Sequence, residues 1–166
     1  MRGLPIHPQN PRGSGASLRS VNASHAEFDA VVEKTELALA AFVQGDTTPM
    51  KSLFSRRDDV VLANPLGPPV RGPKAVDEAG DRAASFLRGG TIEFEDIARY
   101  ATSDLGYLFH IERTKVKVGE SDELRAITLR VTMIYRREDD GWKIVHRQAD
   151  PIMTPRPIES IFEAGP

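Results

Sequence analysis

From residue 91 to residue 149 the chain alternates apolar and polar residues with almost no interruption. The alternating segments are 91–100, 106–118, 124–137 and 142–149. Turn signals separate them: Ser103-Asp104 with Gly106, then Gly119-Glu-Ser-Asp122, then Asp139-Asp140-Gly141. Period two turns one face of each strand inward and the other outward. Four such strands joined by short turns form an antiparallel meander, and its apolar face must be covered by something else in the chain.

The cover has to come from the residues before it. Ser24-His-Ala-Glu27 has the spacing of a capping box. Phe28, Val31, Val32, Thr35, Leu39 and Phe42 then recur at helical spacing, and Gly45 offers a C-terminal cap. These residues predict a helix over 24–44. Thr48-Pro49 opens a short second helix through Phe54. A strand is expected at about 59–64, and a third helix over roughly 73–88 that ends at Gly89-Gly90. Helices first and strands afterwards imply an α+β domain, a curved antiparallel sheet covered on one face by the three N-terminal helices. The expected limits are a flexible tail over 1–21, one domain over 22–155 and a second tail over 156–166.

Composition narrows the function classes. The 166 residues suit one domain with a sizeable core. With no cysteine, disulfides, thiolate catalysis and Cys-ligated metal sites are excluded. A net charge of −2 argues against nucleic-acid binding. No apolar run approaches the roughly 18 residues of a membrane span. The first twenty residues lack the apolar stretch of a secretory signal, so a cytoplasmic location is expected.

Hairpin register sorts the side chains. Joining Val118 to Leu124 sets Phe109 opposite Met133, Ile111 opposite Val131 and Tyr107 opposite Tyr135, all on one apolar face. His110, Glu112 and Arg130 then share the other face, with Glu112 and Arg130 as a cross-strand ion pair. Closing Arg137 on Trp142 adds Trp142, Ile144, His146 and Gln148 to the apolar face and Arg147 to the polar one. A slip of one residue would exchange the two sets.

The segments GPPVRG (67–72) and LRVTMIYRREDDGWKIVHRQADP (129–151), after a strand ending in Asn64-Pro65-Leu66-Gly67, resemble the NTF2-like superfamily. The most similar group is the SnoaL-like, or DUF4440-type, domains. The resemblance covers about residues 24–152. It implies a cone in which a bent sheet surrounds a central pocket, and a homodimer formed through the sheet's outer face. It implies no single activity, since the same cone serves isomerases, cyclases, dehydratases and proteins that only bind or assemble.

The resemblance also places candidate residues. Asn64 stands where the isomerase and cyclase members carry a catalytic aspartate. An amide can cap the turn before Pro65 or hydrogen-bond a ligand, but it cannot abstract a proton. The isomerase phenol would fall at Ala38. With base and phenol both absent, a small-molecule binder is expected, its ligand a small apolar or carbonyl-bearing molecule. The alternatives are an enzyme of isomerase, cyclase or dehydratase type, with His146 as acid–base, and a dimeric assembly module without ligand. Tyr135, Trp142 and Gln148 join Asn64 and His146 as candidate ligand contacts, the two aromatics also fitting a core role. His110, Glu112, Arg130 and Arg147 form a candidate dimer surface, with a catalytic role for Glu112 and Arg130 if the face assignment is reversed. No metal or cofactor is expected.

Overall fold

The structure is a computed structural model that describes the backbone of residues 14–162 and side chains over 25–160 and at 162. Helix α1 spans Ser14–Val43 and α2 Thr48–Leu53. Strands β1 (Val61–Ala63) and β2 (Val70–Arg71) precede α3 (Pro73–Ala84). Four long strands follow: β3 (Leu87–Ala101), β4 (Leu105–Val118), β5 (Leu124–Glu138) and β6 (Gly141–Asp150). A short 3-10 turn, Ile158–Ile161, ends the described chain.

The expected elements are present, but α3 stops at Ala84, short of the expected 88, and Gly89-Gly90 lie within β3 rather than at a helix end. α1 begins ten residues before the predicted capping box and passes through Ser24, whose side chain lies outside the described residues. The one sheet has the order β2-β1-β6-β5-β4-β3. It is antiparallel apart from β1, which runs parallel to β6, with Val61 opposite His146 and Ala63 opposite Gln148. The predicted stripe of α1, from Phe28 and Val32 to Thr35 and Leu39, is buried against the concave face. Phe28 sits over Gly106 of β4 and meets Tyr135 and Trp142 edge-on, each with ring centroids 5.3 Å apart. Gln44 Nε2 donates to the Gly90 carbonyl at 2.8 Å and fastens the end of α1 to β3.

Two features of the sheet correct the expected register. In the β4–β5 hairpin Lys117, not Val118, faces Leu124. Val118 pairs instead with Leu87 on the other side of β4, and the Gly119 N–H donates to the Phe86 carbonyl at 2.9 Å. β3 thus takes the residue that the hairpin was expected to use. Every pair shifts by one: Leu108 faces Met133, His110 faces Val131 and Glu112 faces Leu129.

The second feature is in β6. Arg137 faces Trp142 and Tyr135 faces Ile144, as expected, but Ile134 then faces His146. Val145 is the extra residue of a β-bulge, which reverses which side chains point inward beyond it. Arg147 and Ala149 therefore join the concave face, while His146 and Gln148 turn outward.

Candidate functional site

Between the three helices and the concave face lies a cavity of about 210 Å³. Leu39 and Phe42 of α1, Met50 of α2, Val76 of α3, Leu62 of β1 and Leu129 of β5 form much of its apolar wall. Gly80 of α3 also lines it, and no atom lies within 4 Å of where a Cβ would stand there. Asn64, Pro65 and Leu66 lie at its rim, where Pro65 and Leu66 are exposed to solvent. On the sheet side the wall is interrupted by two charges, Glu112 of β4 and Arg147 of β6.

These two charges are paired. Arg147 Nη2 donates to both oxygens of Glu112, at 2.9 and 2.8 Å, and both residues are buried. Burial alone would push the Glu112 carboxyl up, but the Arg147 guanidinium, with help from His110, outweighs it and holds Glu112 below the usual carboxylate range. His110 Nε2 is 3.3 Å from Glu112 Oε1 without the alignment a hydrogen bond requires, so both ring nitrogens lack a partner. The His110 ring stacks on Phe94 with centroids 5.7 Å apart. Arg147 Nε is buried and unpartnered as well. Among the described residues no three His, Asp or Glu side chains converge to hold a metal.

A cone of helices and bent sheet closing on a mostly apolar cavity is a fold that several activities share, so comparison with known families decides membership. The family model described as the SnoaL-like domain matches residues 31–154. The protein belongs to the SnoaL-like family.

Solved structures agree on the fold. A nuclear transport factor 2-like superfamily protein from Salmonella enterica superposes with a TM-score of 0.71 at 15% identity, over 83% of this chain and 97% of its own. A candidate dehydratase of the NTF2-like family from Streptomyces avermitilis gives 0.68 at 18% identity, over 79% and 99%. A ketosteroid isomerase-like protein from Erwinia carotovora gives 0.60 at 15% identity, over 84% and 99%. No curated protein matches the sequence.

Within this SnoaL-like cone the candidate residues separate. Asn64 is at the cavity rim, and its Oδ1 accepts the Leu66 N–H at 2.9 Å, an Asx turn that fixes the corner before Pro65. Tyr135 and Trp142 are buried beside Phe28 in the core rather than along the cavity wall. The Tyr135 hydroxyl donates to Thr35 Oγ1 at 3.2 Å, and burial raises its pKa above the usual phenol value. His146 is half-buried on the outer face opposite Ile134, and Gln148 is exposed. On that face Tyr100, Tyr107, Ile134 and His146 form one row across four strands.

The residues expected on the outer surface divide the other way. His110, Glu112 and Arg147 come together inside the cone, whereas Arg130 stays outside and pairs with Asp150 at 2.6 Å. The cross-strand partner expected for Glu112 was Arg130; the observed partner is Arg147, two strands away. The Val145 bulge and the β4–β5 register together produce this pairing, and neither has a local sequence signature. The one available signal was the presence of Glu112 and Arg147 at corresponding depth on β4 and β6, whose buried charges are tolerable only as a pair.

Proposed function

We propose that this protein binds a small hydrophobic molecule in the cone. The observation that carries the reading is the largely apolar cavity of about 210 Å³ with a single ion pair in its sheet-side wall. Ligand sites are commonly apolar hollows with a few fixed polar groups that orient the guest. This cavity is below the usual range for drug-sized ligands, so its guest is small.

Gly80 supplies the test. It lies in α3, faces the cavity and has open space at the Cβ position. Gly80→Leu fills part of the cavity while replacing a weak helix former by a strong one, worth up to about 1 kcal/mol in an exposed helix. The expected result is an unchanged or higher Tm together with loss of small-molecule binding, measured by ligand-observed NMR against a panel of hydrophobic compounds. Full binding retained by Gly80→Leu would remove the cavity from consideration.

A second reading is supported by the placement of Glu112. Its carboxylate stands in the cavity wall and is held in the charged form, so it can accept a proton, and the Arg147 pairing that keeps it charged also weakens it as a base. The candidate dehydratase and the ketosteroid isomerase-like protein among the structural neighbours make enzymatic chemistry a natural alternative. If a screened compound is turned over, Glu112→Gln is expected to lower kcat at least about 100-fold. His146→Ala, on the outer face, is expected to leave the rate within about twofold, since His146 does not line the cavity. The reverse pattern would return the acid–base role to His146.

A further inference from the structure

Arg147 has more donors than the protein uses. A guanidinium carries five N–H groups in a rigid plane. Both hydrogen bonds that Arg147 makes among the described residues leave from Nη2 and end on Glu112. Nε is buried without a partner, and Nη1 has no bonded acceptor among those residues. The side chain is about nine-tenths buried and lines the cavity. A buried donor left unmet costs about 1–3 kcal/mol. Nε is sealed by protein atoms, so a guest in the cavity meets the guanidinium at Nη1, where an acceptor oxygen would complete its hydrogen bonding.

The charge of the guest follows from Glu112. Glu112 already neutralises Arg147, and both of its oxygens point at the guanidinium. A guest carboxylate would bring a second negative charge beside Glu112 in a site with little water, where like charges oppose each other strongly. A neutral carbonyl oxygen brings no net charge and accepts from the same donors. An alkane leaves the donors unmet.

We infer that Arg147 determines specificity within the cavity: the guest is an apolar molecule bearing a neutral carbonyl, such as a ketone or ester, with its oxygen on the unused Nη1 group, and the matching carboxylate is rejected. This rests on the reading of the cone as a binding cavity, and it adds the chemistry of the head group and the residue that selects it.

Three probes of nearly the same shape test it: cyclohexyl methyl ketone, isopropylcyclohexane and cyclohexanecarboxylate. Each is titrated into the ¹⁵N-labelled full chain at neutral pH, following the arginine Nε–H signals. The ketone is expected to bind at least about tenfold tighter than either of the others, equivalent to about 1.4 kcal/mol, and to move the Arg147 signal. In the double variant Glu112→Leu/Arg147→Met the ketone-to-hydrocarbon affinity ratio is expected to fall to about one. Such a pairwise apolar replacement keeps the site filled without stranding a charge. If the hydrocarbon binds as tightly as the ketone, or the carboxylate binds tightest, the role of Arg147 is overturned while the cavity remains. A ketone preference that survives in the double variant also overturns it. If none of the three binds, the binding reading fails and this inference fails with it.

Discussion

Arg147→Met alone is expected to destabilise the protein by about 3–5 kcal/mol at neutral pH, because it leaves Glu112 charged, buried and unpaired. Glu112→Leu/Arg147→Met should recover most of that loss, since replacing a whole buried pair by apolar residues is often neutral or better. The pH dependence separates this cause from a simple packing defect. In the wild type the folded-state pKa of Glu112 is depressed. Its contribution to stability is therefore present above the unfolded value, about 4.3, and is lost as pH falls through the lower folded value. In Arg147→Met the main opposition to burial is gone, and the folded pKa rises above the unfolded one. The penalty then grows as pH rises past the unfolded value and shrinks in acid, where Glu112 is neutral in both states. Urea unfolding at pH 7 and pH 5 measures both effects. A deficit of the same size at the two pH values would assign the loss to packing instead.

The second large effect is at the contact between α1 and the sheet. Phe28→Ala is expected to cost about 3–5 kcal/mol, or a fall in Tm of roughly 10 °C. The ring is 2% exposed and touches both Tyr135 and Trp142 edge-on. Gly106→Ala should be harmful for the complementary reason, since its Cβ would lie 2.4 Å from the Phe28 ring. Phe28→Ala removes the atoms that this Cβ would strike. The double variant is therefore expected to lose less than the sum of the two single losses, by about 1 kcal/mol or more. Thermal unfolding of the four proteins checks it, and strict additivity would show that the ring does not rest on Gly106.

Gly106 was visible in the sequence only as part of a turn signal. In the structure it is also the place where a helix crosses a strand closely enough to exclude a side chain. The meaning of Asn64 was more accessible. A short amide before proline suggests a capped turn, and its Oδ1 does accept the Leu66 N–H. The order of helices and strands was legible because period 3.6 and period two are local properties of the chain. The apolar stripe of α1 was legible for the same reason, from Phe28 to Leu39.

The faces of the sheet were not. A strand records which residues alternate, but not which set faces the core once both sets contain apolar residues. Phe109 and Ile111 on one side of β4 compete with Leu108 and Val116 on the other. The expected register followed the larger apolar residues and kept Glu112 outside. The structure places Glu112 inside because Val118 pairs with Leu87 and the Val145 bulge brings Arg147 to the same face. Each charge makes the other's burial tolerable, so neither placement could be inferred alone. The sequence by itself determined the helices, the four long strands and an amide rather than a carboxylate at position 64. Only the tertiary structure decided which charges enter the cone, because burying a charge depends on a partner two strands away and no local pattern records that distance.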